Sequence, residues 1–449
     1  MKFNIPENIL TIYKKITGKN FKCYLVGGCI RNLLLKKPVK DWDMTTNATP
    51  DQILQIFPNG FYDNKFGTVG IPINSGAIVE ITTFRTERDY LDSRHPSNIK
   101  WGKTIEEDLE RRDFTVNAIA YDLQNNQIID LFKGQLDLKN KIIRTVGDSS
   151  KRFKEDALRL MRAIRFATQL NFEIEEKTKN FIIQDAILLK QISNGRIKDE
   201  FLKIIESENA SEGITMLKDM GLLKYILPEI LDGVGISQVR PGRHHIYDVF
   251  THNLMSLKFC PSSDPIIRFT ALIHDIGKPF CIGKDKDDLV IFHNHEIIGA
   301  KIAYQICDRL HFSKKNKDKI VKLIRWHMFS VDEYQTDSAI RRFIRKIGVE
   351  NVKDMIDLRI ADRLGSGITS DKAESWRLIK FKERIEEQLK PAPFSINDLA
   401  IDGNDIMKIL NIKPGRMIGE ILQKLFEEVD EDLSLNTKIY LEKRVKELG

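Results

Sequence analysis

Asp41 and Asp43, one residue apart in KDWDM, are the first side chains in this 449-residue chain whose spacing suggests chemistry. In an extended segment alternate side chains share a face, so both carboxylates point one way and Trp42 the other. Such a pair can hold one or two Mg²⁺ ions through oxygen. Ions held there bridge nucleotide phosphates, activate an attacking hydroxyl and stabilise a departing pyrophosphate. A bare D-x-D is a common surface accident, so its neighbours decide. Upstream, YLVGGCIRNLLL runs from an apolar strand through Gly27 and Gly28 into a helix, with Arg31 in the first turn. A glycine pair there lets backbone N–H groups approach a phosphate, and the helix start favours its charge. Glu80, in AIVEITTF, is a candidate third carboxylate.

A second constellation lies in EDALRLMRAIRFA. Asp156, Arg159, Arg162 and Arg165 recur every third residue, which on a continuous helix makes a slowly drifting polar strip, with Leu158, Met161 and Ile164 covering much of the rest. Burying three arginines and a carboxylate is costly without partners, and a nucleoside triphosphate would supply them. Cytosine and adenine both present an amine donor beside a ring-nitrogen acceptor, whereas uracil and guanine present a carbonyl beside a ring N–H. A carboxylate only accepts and a guanidinium only donates, so Asp156 with Arg159 suits C and A and opposes U and G.

These residues need elements to position them. A prior of roughly 150 residues per domain suggests about three units. Residues up to about 145 mix short apolar runs (CYLVGG, AIVEITTF, NAIAYDL, QIIDLF) with turns, predicting an α/β or α+β unit. From Lys151, long amphipathic patterns predict helices, and Pro391 and Pro393 in KPAPFS mark a boundary before a short basic tail. Hydrophobic content of 42% with 30% charged residues fits a soluble protein, without a membrane span, and MKFNIPENILTIYKK lacks the features of a signal peptide, so a cytoplasmic location is expected. Cys23, Cys29, Cys260, Cys281 and Cys307 show no C-x-x-C spacing, which argues for reduced thiols. The net charge of +7 permits a polyanionic partner without requiring one.

The blocks YLVGG, DWDMTT, TFR…DY…DSRHP, RRDFTVNA and EDALRLMRAIRFA, in this order and spacing, resemble the class II tRNA nucleotidyltransferase and poly(A) polymerase family, of the polymerase β-like superfamily. The resemblance implies a multidomain protein, with an α/β nucleotidyltransferase head at residues 1–147 followed by an all-α remainder. That remainder is a neck at 148–232 carrying the base-reading helix, an HD body at 233–390 and an RNA-binding tail at 391–449. It implies CCA addition to tRNA 3′ ends from CTP and ATP with Mg²⁺, without DNA or membrane partners. Asp41 and Asp43 would be catalytic, and Gly28, Arg31, Arg111, Arg112, Asp113, Asp156, Arg159, Arg162 and Arg165 would bind nucleotide. CC-only, A-only or poly(A) addition are alternatives sharing the head motifs. The segment Arg85 to His95 resembles the family's loop for switching from C to A. Where the family usually has Arg-Asp after the glycine turn, this chain has Arg31-Asn32, which suffices if the residue only braces the turn.

Eight of the nine histidines fall between His244 and His327. HNL, ALIHDIGKP, FHNHEIIGA, RWHM and IADRLGS resemble the HD phosphohydrolase superfamily, whose pattern is completed by His252, His274, Asp275, His295, His327 and Asp362. The resemblance implies a second divalent metal site, and a further alternative in which the chain is chiefly a phosphohydrolase acting on RNA ends. His244, His245, His293 and His311 fit no ligand position. AIDGNDIMKILNIKPGRMIGEILQKL reads as helix, turn, helix, with Lys408 and Arg416 near Pro414-Gly415, and resembles the tail of HD-containing bacterial tRNA nucleotidyltransferases.

Overall fold

The computed structural model describes residues 2–64, 67–73, 76–90, 96–239, 246–331, 334–368, 375–389 and 395–449. Contacts divide the chain into two units. The first comprises Met1–Val234, Asp264–Phe269 and Gln305–Ser313, the second Gly235–Ser263, Thr270–Tyr304 and Lys314–Gly449. The architecture is multidomain, a mixed-sheet head with a mostly helical remainder.

The head strands are β1 (Cys23–Val26), β2 (Trp42–Thr46), β3 (Phe61–Asn64), β4 (Thr68–Pro72), β5 (Ile78–Thr83), β6 (Arg85–Tyr90), β7 (Pro96–Trp101), β8 (Ala120–Asp122) and β9 (Gln127–Ile129). Seven of them form one sheet in the order β3-β4-β5-β2-β1-β8-β9. Its one parallel pair is β2 with β5, in a register that sets Asp43 beside Glu80. Val79 and Ile81 alternate inward along β5 while Glu80 faces out, the period-2 pattern of a half-buried strand. The segment expected as a loop from Arg85 to His95 instead begins as a strand, because β6 pairs antiparallel with β7. Residues 91–95 lie outside the described residues.

Helix α1 (Gly28–Leu34) leaves β1 through Gly27, whose φ of 74° is in the left-handed region that glycine tolerates. A Cβ there would sit 3.0 Å from Arg112 Nη1 and 3.5 Å from Asp43 Oδ2. The glycine thus admits both functional side chains beside the turn.

The continuous helix read through EDALRLMRAIRFA is broken. Helix α2 (Ser149–Glu155) ends at Asp156, which has extended backbone, and α3 (Leu158–Leu170) begins after it. The reason is capping, since Asp156 Oδ1 accepts the Leu158 N–H at 3.0 Å and competes with helix continuation. Only the three arginines therefore lie on α3. It buries Leu160, Met161, Ala163, Ile164 and Ala167 and packs with α4 (Asn194–Ile205).

Beyond residue 234 helices α5 (Val249–Lys258), α6 (Pro265–Ile273), α7 (His295–Arg309), α8 (Lys314–Trp326), α9 (Asp337–Ile347) and α10 (Val352–Gly365) follow the amphipathic patterns. The remainder is mostly helical, with two short strand pairs. A hairpin of Ile282–Lys284 with Val290–Phe292 and a parallel pair of Ile142–Ile143 with Glu173–Ile174 interrupt the helices. Pro391 and Pro393 lie outside the described residues. Beyond them, Gly403–Leu410, Arg416–Glu431 and Lys438–Leu448 surround an apolar cluster of Ile406, Ile421, Leu425, Val429, Leu441 and Val445. Asp430 fastens the helix Arg416–Glu431 to α9, accepting from Arg341 at 2.8 Å and Arg345 at 2.6 Å. The tail is also not basic. Residues 391–449 hold eight Lys and Arg against eleven Asp and Glu. Among the described residues no helix is long and apolar enough to cross a membrane, and the five cysteines are free.

Candidate active site and metal centre

A cavity of about 490 Å³ in the first unit collects residues from widely separated stretches of sequence. Gly27, Gly28 and Arg31 come from the turn and α1, Asp43 and Glu80 from β2 and β5, Arg111, Arg112 and Asp113 from the segment after Ile105–Glu110, and Asp156, Arg159 and Arg162 from the α2–α3 junction. The acid of the D-x-D and the proposed base readers therefore share one cleft.

Two sequence-derived candidates do not line it. Asp41 is exposed just before β2, coupled to Asp43 only through charge. Arg165 is buried under α3, paired with Glu200 at 2.9 Å and stacked over Phe166 at 4.3 Å. Burial and the neighbouring Arg162 outweigh Glu200 and push Arg165 down to about 10. Its role in the structure is to hold α3 on α4.

Burial raises the Asp43 carboxyl above its ordinary range, opposed by Arg112 and reinforced by Asp41. A desolvated carboxylate beside a second acid is a site that gains by taking a cation. Both donors are hard oxygens, which fits Mg²⁺, and Glu80 adds a third carboxylate on the neighbouring strand.

The cations are held by a frame of acids. Asp108 is fully buried; burial would raise its carboxyl, but Arg111 at 2.6 Å and Arg112 at 3.1 Å hold it below the ordinary value. Asp113 receives Arg162 through Nε at 2.8 Å and Nη2 at 2.5 Å. Against the cost of burial, Arg162 lowers Asp113 to about 2. Arg31 donates to Asn117 Oδ1 at 2.7 Å and, through Nε and Nη2, to Asn32 Oδ1 at 3.2 and 3.1 Å. Asn32 Nδ2 donates in turn to the Pro38 carbonyl at 3.2 Å. Asn32 braces the arginine with an amide oxygen, a task that needs an acceptor and no charge.

The candidate base readers are oriented by groups the sequence reading missed. Asp156 Oδ2 accepts from Arg196 of α4 at 2.8 Å. Arg159 donates to Glu155 at 2.6 Å and to the carbonyls of Arg152 at 3.1 Å and Arg111 at 3.3 Å. Asp108 was readable three and four residues before Arg111 and Arg112, the spacing of helical ion pairs. Arg196, distant in sequence from Asp156, had no local signal.

The second unit brings all six expected ligands of the histidine pattern together. His252 and His274 face each other Nε2 to Nε2 at 3.2 Å, and His295 and His327 at 3.3 Å. Asp275 joins the pairs, with Oδ2 3.1 Å from His252 and Oδ1 3.3 Å from His295, while Asp362 Oδ1 lies 3.3 Å from His252. Among the described residues the groups close enough to share an ion are His252, His274, Asp275 and Asp275, His295, His327.

The surroundings fix the ring orientations. Nδ1 of His274, His295 and His327 lies 2.9, 2.8 and 2.7 Å from the carbonyls of Ala271, Phe292 and Ile324. With Nδ1–H donating outward, each Nε2 lone pair faces inward, the tautomer that binds metal. Opposed lone pairs at such distances repel unless a cation lies between them, so the donor set fits divalent metal. Gly277 allows the close turn after Asp275, since a Cβ would come 2.1 Å from the His295 carbonyl. Lys278, absent from the sequence reading, donates to Asp275 Oδ2 at 2.5 Å and Gln238 Oε1 at 2.7 Å. His293 and His311 are exposed and take no part, and His244 and His245 lie outside the described residues.

Comparison with known proteins gives this geometry a family. A profile described as "Poly A polymerase head domain" matches residues 23–144, "Probable RNA and SrmB- binding site of polymerase A" residues 171–233, and a tRNA nucleotidyltransferase domain 2 profile residues 293–445. Over 448 residues the chain is 31% identical to the CCA-adding enzyme of Staphylococcus saprophyticus, spanning 99% of each protein. The chain belongs to the CCA-adding enzyme family. The family member from Ligilactobacillus salivarius is 32% identical over 449 residues, 99% of this chain and 98% of that one. Among solved structures, Bacillus stearothermophilus CCA-adding enzyme in complex with CTP aligns with a TM-score of 0.72 at 26% identity, covering 98% of this chain and 96% of that one. Thermotoga maritima CCA-adding enzyme complexed with tRNA shares the fold, with a TM-score of 0.57 at 20% identity over 99% and 97% of the two chains.

Proposed function

We propose that the chain adds CCA to tRNA 3′ ends in the cytoplasm, from CTP and ATP, releasing pyrophosphate without a nucleic-acid template. The observation that carries this reading is the shared cavity, where Asp43 and the glycine turn meet Asp156 and Arg159.

In this mechanism Asp41 and Asp43 would hold the divalent metal, Mg²⁺. When bound, the metal polarises the α-phosphate and favours ionisation of the attacking hydroxyl. Gly28, Arg31 and Arg112 receive the triphosphate, their positive charge set against its anionic oxygens. Arg162 and Asp113, locked to each other, present one edge to the sugar. Asp156 accepts from the exocyclic amine of C or A, and Arg159 donates to the adjacent ring nitrogen. A carboxylate has about four lone-pair positions; the Leu158 N–H and Arg196 occupy two, leaving acceptor capacity for the base. Uracil and guanine offer an acceptor to Asp156 and a donor to Arg159, both opposed.

Replacing Asp41 and Asp43 together by alanine tests the mechanism. Incorporation of labelled CMP and AMP into tRNA lacking CCA should fall by roughly 10³-fold or more. Incorporation at the wild-type rate would defeat it.

A second reading, favoured by the six-membered cluster, is that His252, His274, Asp275, His295, His327 and Asp362 hold divalent metal for phosphoester hydrolysis. There the metal would supply a hydroxide, with Lys278 restraining Asp275. For the tail, the RNA-facing candidate is Arg416, at the start of its helix and 94% exposed. The net acidity of the segment confines such a contact to a local one.

A further inference from the structure

A second cavity, of about 360 Å³, is built in the second unit on residues that adjoin the histidine centre in sequence. Glu296 follows His295, and Trp326 and Met328 flank His327. The size lies within the roughly 300–1,000 Å³ of small-molecule sites. Its lining has three properties that together specify a ligand.

The first is aromatic surface. Phe329, Phe343 and Phe381 pack with centroids 4.8, 5.6 and 5.5 Å apart. The second is positive charge. Arg325 and Lys346 lie 4.4 and 4.7 Å from the Trp326 ring centroid, and the nearest carboxylate to Arg325, that of Glu296, is 3.8 Å away. The third is an unmet acceptor. Gln335 Nε2 donates to the Ser330 carbonyl at 3.2 Å, while its Oε1 is buried without a donor among the described residues. Burial of an acceptor is unfavourable unless something supplies an N–H.

We propose that this cavity binds a nucleoside phosphate carrying an amino-bearing base, adenine. The ring lies against the aromatic lining, the exocyclic amine donates to Gln335 Oε1, and the phosphate faces Arg325 and Lys346. An apolar peptide side chain would leave both the cations and the amide oxygen unanswered. The site is separate from the nucleotide cavity of the first unit and does not depend on nucleotide transfer. Its ligand chemistry has two sources, a free nucleotide or the adenosine end of an RNA strand.

Isothermal titration of the full chain with adenosine 5′-monophosphate and with inosine 5′-monophosphate, which has a carbonyl in place of the amine, tests this. Adenosine monophosphate should bind about tenfold or more tightly than the inosine analogue. Gln335→Leu should abolish that preference, and Lys346→Gln should weaken both ligands by about fivefold to tenfold, with melting curves and CCA addition unchanged. Equal binding of the two nucleotides, wild-type behaviour of both variants, or loss of binding in Arg162→Ala would overturn the proposal, the last by assigning the ligand to the first unit. A single-stranded adenosine trimer separates the sources. Tighter binding than the mononucleotide, lost in Gln335→Leu, assigns an RNA end; weaker binding assigns the free nucleotide; no binding of either defeats the site.

Discussion

The nucleotide cavity of the first unit and the histidine centre of the second both offer acidic side chains to divalent metal, yet they are assembled in opposite ways. In the first, Asp41 is exposed, Asp43 is half-buried with its carboxyl raised, and the surrounding arginines are held apart by their own acids. In the second, four histidines and two aspartates already stand within about hydrogen-bond distance, with three ring Nδ1 atoms set against backbone carbonyls. A cavity of the first kind would be completed by its substrate, whose phosphates could supply further oxygen ligands. A centre of the second kind would bind an ion whether or not substrate is present. Affinity for metal should therefore depend on nucleotide in the first unit and be independent of it in the second.

The largest expected effect attacks the preassembled centre. Asp275→Ala removes the carboxylate common to both ligand groups, and metal retained after dialysis should weaken by roughly 10²-fold or more. CCA addition should stay within about twofold. Loss of transfer in this variant would show that the two sites are not separate in function.

Next in size is the buried frame. Glu200→Gln leaves the Arg165 guanidinium without its charge partner, 9% exposed in its side chain. Breaking a buried pair this way costs roughly 3–5 kcal/mol, measurable by chemical denaturation. Selectivity between C and U should change little in the folded fraction, because Arg165 does not line the cavity.

The smallest change in stability concerns Asp43. Its folded carboxyl is raised above the ordinary value by burial, with Asp41 adding to the rise against Arg112. A raised acid is disfavoured in its ionised form on folding, so it weakens the fold at pH values above that raised range. Asp43→Asn should thus raise Tm at neutral pH, by about 2 °C, while abolishing transfer. In the parent, transfer should decline on acidification at a higher pH than an ordinary aspartate would dictate, because protons compete with metal there. A Tm lowered by Asp43→Asn would reverse the assigned sign.

What the sequence disclosed was chemistry carried by short spacings. The glycine turn, D-x-D, R-R-D and the histidine motifs are each local, and the fold brings them into two places. What stayed hidden depends on distance or on capping. Arg196 reaches Asp156 from another helix, and Lys278 restrains Asp275 through a turn whose shape needs Gly277. The break at Asp156 was concealed because a residue that caps a new helix also fits the apolar spacing of a continuous one. Arg165 continued the every-third-residue series yet faces Glu200, since an i,i+3 series drifts around the helix until its last member is buried. The tail's charge needed only counting, and the few lysines near Pro414 misrepresented a segment that is acidic as a whole.

The most direct test of the central claim, that Asp156 and Arg159 choose the base, is incorporation of each of the four labelled nucleotides into tRNA lacking CCA. The parent chain should use CTP and ATP and discriminate against UTP and GTP by ~10⁴. Asp156→Ala and Arg159→Ala should each cut that ratio to ~10² or less. Undiminished discrimination in both variants would contradict the account.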